Sequence, residues 1–169
     1  MSPRRVRRVE VPDQIAASFA RSTANYAAAF AVTTDAARTR TSRQWASAVF
    51  ERAPAGLRSC MVFGWTRMLR LKLGPRPSDD HVLGWAIAEG ELVARSTALT
   101  AESRFLRATN IVMVGPSSVT WVTLVHYSHA VARPLWTMAR PIHHLTIRHL
   151  LARAARETDS VTSPSETAA

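Results

Sequence analysis

Residues 108 to 132 carry no formally charged side chain, a stretch long enough in principle to cross a bilayer. Its content decides against a span. Gly115-Pro116-Ser117-Ser118 interrupts it, and Asn110, Thr120, Thr123, His126, Ser128 and His129 would all have to sit in lipid. Two strands and a turn account for the same residues: Phe105 to Val114 and Val119 to Tyr127 are rich in the Val, Ile, Thr, Trp and Tyr that a pleated, half-buried surface prefers. Directly afterwards Val131, Leu135, Met138, Ile142 and Leu145 recur at spacings of four and three, which predicts a long helix whose apolar stripe faces something hydrophobic. Pro134 suits its first turn, Pro141 removes one interior backbone hydrogen bond and predicts a kink near Met138, and His149 continues the stripe as a core-edge residue. A sheet that hands over to a helix able to pack across it constrains the fold more than any other feature.

Earlier elements fit that plan. Tyr26 to Thr33 is an apolar run that reads as the first strand, although its alanines suit a helix equally well. Thr41 or Ser42 can cap a helix carrying Trp45, Ala46, Val49 and Phe50, which Pro54 ends. A second helix is expected from Leu57 to Leu73, with Met61, Trp65, Met68 and Leu69 on one face and Gly74-Pro75 as its stop. The period then alternates: Leu83, Trp85 and Ile87 fall on one side of a strand, and Glu89-Gly90 turns it into a partner from Glu91 to Leu99, with Thr100 to Arg104 as the following connection. The expected division is a basic, flexible arm over residues 1–24, one domain over 25–157, and a disordered tail over 158–169, where Ser, Thr, Asp, Glu and Pro replace large apolar side chains.

The chain of 169 residues is long enough to bury a core without staples. Its single cysteine, Cys60, excludes an internal disulfide framework and fits a cytoplasmic location. A net charge of +10 invites a nucleic-acid reading. The arginines are nevertheless spread over the whole chain and no aromatic residue precedes Phe19, so nucleic acid is not the expected partner and the arginines read as a solvated surface. The terminal arm, with Arg4, Arg5, Arg7 and Arg8, lacks the apolar segment of a targeting peptide.

Reactive constellations are sparse. Neither His143, His144 nor His149 has a ligand type four residues away, so no metal site is expected. Cys60, among Leu57, Met61, Val62 and Phe63, reads as a buried, inert thiol. The glycines form no phosphate loop or nucleotide fingerprint, the serines no nucleophile elbow, and no cofactor is implied. Asp79-Asp80 and Glu89/Glu91 sit in turns, where carboxylates are solvated.

Gln44-Trp45-Ala46 with Ala53-Pro54, Arg67-Met68-Leu69, Arg140-Pro141-Ile142-His143-His144-Leu145 and Arg148-His149-Leu150-Leu151 together resemble an uncharacterised bacterial family, a domain of unknown function within the START-like, SRPBCC helix-grip superfamily. The resemblance covers roughly residues 25 to 156. It implies an α+β fold: a curved antiparallel sheet wrapped around a long C-terminal helix, two short helices after the first strand, and a cavity between sheet and helix. On that basis the expected function is non-enzymatic binding of a small hydrophobic ligand, with Trp85, Phe105, Trp121, Trp136 and Met138 lining the cavity. The competing view is that these side chains simply fill the core. Two further readings stand beside it: a polyketide-cyclase or dehydratase type of enzyme using His126, Tyr127 or His143 as acid or base, and an interaction protein presenting the arginine-rich face of the last helix.

Overall fold

In chain order the elements are β1 (Arg7–Val9), α1 (Asp13–Phe19), β2 (Tyr26–Thr33), α2 (Ser42–Phe50), α3 (Ala55–Phe63), a π turn (Gly64–Met68), β3 (His81–Val82), β4 (Trp85–Ile87), β5 (Ser96–Glu102), β6 (Leu106–Val114), β7 (Ser118–Tyr127) and α4 (Ala132–Thr162). They belong to a computed structural model that describes residues 5–19, 24–88 and 95–162. The uncharged stretch is the β6–β7 hairpin, in register from Leu106↔Tyr127 to Val114↔Val119. Among the described residues no helix is long and apolar enough to cross a membrane. The hairpin lies at the centre of one antiparallel sheet of order β1-β2-β7-β6-β5-β4-β3.

Alternation along the strands gives this sheet two apolar faces. One presents Phe30, Val32, Leu106, Ala108, Val112, Val119, Trp121 and Val125, and packs with buried residues of α2 and α4. The other presents Ala29, Ala98, Ile111, Val122 and Leu124 to Ile15 of α1, which is fully buried. The architecture is therefore α+β, with an antiparallel sheet covered on its inner face by a long C-terminal helix. Trp45 and Trp121 are wholly buried, and truncating either to alanine would cost about 3–5 kcal/mol.

α2 begins as its sequence predicts. The Thr41 side chain accepts from the Gln44 N–H while the Gln44 side chain accepts from the Thr41 N–H, a capping box that satisfies two otherwise orphaned donors. The segment expected as a flexible arm differs: Val6 is buried, Arg7–Val9 pairs with Ala29 to Ala31, and α1 seals the outer face. The arginines there disguise two apolar anchors, Val6 and Ile15, whose burial holds the segment down. The expected tail also starts too early, because α4 runs on to Thr162. Buried Thr158 donates to the Ala154 carbonyl at 2.7 Å, and Asp159 accepts from buried Thr34 at 2.6 Å. α4 passes through Pro141 as one element.

Three boundaries shift for local reasons. The second helix does not reach Leu73: it widens into the π turn, and Arg70 with φ of 52° takes the chain away. The strand expected through Leu83 is instead a tight hairpin, since Leu83 (φ 48°) and Gly84 (φ 86°) both take left-handed backbone between Val82 and Trp85. β5 continues through Glu102, so the connection to β6 is only Ser103 to Phe105, where the Ser103 hydroxyl accepts from the N–H groups of Phe105 and Leu106, each at 3.2 Å. The expected Glu89-Gly90 turn lies outside the described residues, but β4 and β5 pair antiparallel on either side of it.

Candidate functional site

The concave feature of most interest lies between α3 with its π turn and the first half of α4. At Gly64 the helix changes period, and the Leu69 N–H donates to the Gly64 carbonyl at 3.1 Å, five residues back. Such π turns often mark functional positions, because an inserted residue pushes side chains out of helical register. Gly64 is itself helical (φ −58°, ψ −45°), so its backbone does not require glycine, and a Cβ there would meet nothing within 4 Å. The glycine keeps space open.

That space is an apolar cavity of about 310 Å³. α4 supplies Trp136, Ala139, Ile142, His143, Thr146 and Ile147. The facing wall is Leu57, Cys60, Met61, Gly64, Trp65 and Met68, and Phe50 of α2 reaches it from the core. Phe50 and Trp65 meet edge to face with centroids 5.0 Å apart, and Phe50 continues to Trp121 at 4.8 Å. The cavity wall is thus the outer edge of the aromatic core.

His143 brings polarity to this wall. Buried Trp121 can only donate through its indole N–H, so the atom it meets at 3.1 Å is the Asn110 side-chain oxygen. The Thr123 hydroxyl donates to the same oxygen at 2.7 Å. Its proton thus used, Thr123 accepts from His143 Nε2–H at 3.1 Å, leaving Nδ1 as the unprotonated nitrogen. Burial, and secondarily the neighbouring His144, lowers the His143 pKa to about 3. The imidazole is neutral at ordinary pH. Trp136, whose indole packs 5.3 Å from His143, is buried with its N–H lacking a partner among the described residues.

Of the residues expected to line a cavity, only Trp136 lines this one. Trp85 and Trp121 lie in the core, Trp85 packed 5.3 Å from Trp65. Phe105 sits just before the start of α4, under Arg104 at 4.5 Å and beside His129. Met138 is 69% exposed. The stripe to which Met138 belongs points away from the sheet: Val131, Ile142 and Leu145 are exposed as well, while Ala132, Trp136, Ile147, Leu150, Leu151, Ala154 and Ala155 face the core. Over 131–145 the sheet-facing side of α4 is made by Ala132, Trp136 and the two histidines, Trp136 meeting Tyr26 at 5.2 Å and His144 meeting Phe30 at 5.1 Å, so most large aliphatic side chains of α4 there mark the outer face. His149, expected on the core edge, is exposed too.

The possible acids and bases do not converge. Strand alternation sets His126 on the outer face of β7 and Tyr127 on the inner one, whereas His143 contacts Thr123 in mid-strand. Burial raises the Tyr127 pKa. Cys60, expected to be buried, is exposed at the cavity, because α3 buries only Met61 fully. Gly64, Thr123 and Asn110 were not singled out by sequence. A glycine inside an otherwise good helix was the available signal for the first, and nothing short of strand register could have found the other two.

On the far flank of α4, Tyr26 Oη and His144 Nε2 share a hydrogen bond, and Phe30 meets His144 edge to face at 5.1 Å. Burial lowers the His144 pKa, helped by Arg8, Arg140 and Arg148, and burial raises that of Tyr26. Among the described residues no group of three or more His, Cys, Asp or Glu side chains is placed to hold a metal ion. No protein-family model, curated protein or solved structure matches the chain.

Proposed function

We propose that the chain is a START-like helix-grip protein that binds a small hydrophobic ligand without transforming it. The observation carrying this reading is the apolar cavity of about 310 Å³ held open at Gly64, a size within the range of about 300–1,000 Å³ that small-molecule sites occupy. Its walls are largely aromatic and aliphatic, with Trp136, His143 and Thr146 as polar groups able to orient a ligand hydroxyl. The ligand enters between α3 and α4 rather than between sheet and helix. A neutral His143 with a pKa near 3 supports binding over general acid–base chemistry, since a catalytic group works best with a pKa close to the operating pH. Among the described residues no carboxylate lines the cavity to assist it.

Gly64→Leu is the test. A helix-interior glycine costs about 0.5–1 kcal/mol relative to alanine, and the leucine side chain has apolar space to fill, so the variant should be more stable than the parent by about 1 kcal/mol or more. Native mass spectrometry of the purified parent should show a bound apolar molecule, and the variant should lose it. A parent that carries no ligand and binds no naphthalene-sulfonate probe at micromolar concentration would refute the proposal.

A further inference from the structure

The cavity opens on a surface of unusual composition. Large apolar side chains that the structure leaves exposed are Phe63, Met68, Val131, Met138, Ile142 and Leu145. Phe63, Met68 and Ile142 line the cavity, and Val131, Met138 and Leu145 share one helical stripe with Ile142 that runs on from it along α4 and the residue before it, so the six follow two adjoining elements rather than a scatter. α3, the π turn and α4 as far as Arg156 are free of carboxylates: no Asp or Glu occurs between Glu51 and Asp79, nor between Glu102 and Glu157. What they carry instead is arginine. Arg133, Arg140 and Arg148 lie on the flank of α4 turned toward Tyr26, Tyr127 and His144, within electrostatic reach of them. On the opposite side Arg58, Arg67 and Arg76 ring a depression that shares Phe63 with the cavity. Among the described residues Arg67, Arg133, Arg140 and Arg148 have no carboxylate partner.

We propose that this face docks on the surface of a bilayer bearing anionic headgroups, with the apolar ridge entering the acyl boundary and the arginines on either flank meeting phosphates. An apolar strip bracketed by cations, with the acids placed elsewhere, is what an interfacial protein presents to an anionic membrane. Other occupants fit less well. A symmetric pair of copies would set arginine flank against arginine flank. Nucleic acid would meet the arginines but leave Met138, Ile142 and Leu145 in water. A bilayer accepts a convex helical ridge without requiring a matching groove. The inference stands on the surface alone and holds whether or not the cavity is filled.

The test is vesicle flotation of the full chain. Vesicles containing phosphatidylglycerol should float at least tenfold more protein than vesicles of pure phosphatidylcholine, and raising salt from 0.1 to 0.5 M should weaken binding several-fold without abolishing it. The exposed pair Met138→Glu/Leu145→Glu should lower partitioning at least tenfold while the circular dichroism spectrum stays unchanged. Arg140→Gln/Arg148→Gln, which leaves the ridge intact, should lower it about tenfold on phosphatidylglycerol vesicles. Failure of the parent to float at 0.1 M salt overturns the proposal. So does undiminished flotation of either double variant, since a partner recognised by only one of the two features, such as an acidic protein or nucleic acid, would then explain the surface better. A parent dimer in sedimentation that the ridge variant converts to monomer would assign the face to a second copy instead.

Discussion

His143 concentrates the chemistry of the inner face in one ring. Its pKa is lowered from 6.5 to about 3, burial being the chief cause and His144 the lesser one. Between those values the unfolded chain takes up a proton that the folded chain refuses. Stability from this group is therefore complete above about pH 6.5 and is lost progressively as pH falls toward 3, by a few kcal/mol in all. His144 is shifted in the same direction, so it adds to the slope. His143→Gln retains a donor for Thr123 but cannot titrate, and it should flatten the dependence of the urea midpoint on pH between 6.5 and 4. An unchanged slope in that variant would show that the ring is not the titrating group. The supporting chain beyond Thr123 was invisible in sequence because its members come from β6, β7 and α4 and meet only through strand register, Asn110 opposite Thr123.

At the scale of elements, α1 is short but covers the outer face of the sheet through Ile15, which is wholly buried against Ala29, Ile111, Val122 and Leu124. Ile15→Ala should cost about 2–5 kcal/mol, measurable as a fall in the denaturant midpoint with little change in slope. A loss under about 0.5 kcal/mol would mean that the outer face holds without it. The β6–β7 hairpin and the start of α2 were legible because each carries local chemistry that admits one reading: Gly115-Pro116 between two β-branched runs, and Thr41 three residues before Gln44 ahead of Trp45. α1, the end of α3 and the orientation of α4 were not. α1 is only seven residues long with Ile15 as its buried anchor, the π turn breaks the period on which helix reading depends, and over residues 131–145 the inward face of α4 carries Ala132 and Ala139 beside Trp136 while its larger aliphatic side chains are mostly exposed.

Across the whole molecule, the α+β architecture expected from the resemblance to helix-grip proteins is present as an antiparallel sheet under a long C-terminal helix, and Trp85, Phe105, Trp121 and Met138 do not line the cavity between α3 and α4. A sheet whose central strands carry Trp121 and Phe30 fills the space beneath the helix, and the available volume moves sideways to the gap between α3 and α4. Away from that gap, the last turns of α4 are tied back to the end of β2. Asp159, near the end of α4, accepts from Thr34, just past β2, and Thr34 is fully buried. Asp159→Ala would leave that hydroxyl without this acceptor, and about 1–3 kcal/mol should be lost. Amide exchange in the last turns of α4 should quicken more than in its first half, and uniform protection along α4 would count against the clasp.

β2 lies between β1 and β7, in register from Tyr26↔Val125 to Thr33↔Ser118. A strand made early in synthesis must therefore wait for a partner made late. At translation rates of about 5–20 residues per second the delay is on the order of 5–20 s, far longer than a hairpin needs to close. Ala27, Ala28 and Ala29 expose little apolar surface during that interval, which makes the strand a poor template for pairing with a neighbouring nascent chain. The alanines that left the sequence undecided between strand and helix are thus the ones that let its β7 edge remain unpaired safely until the rest of the sheet arrives.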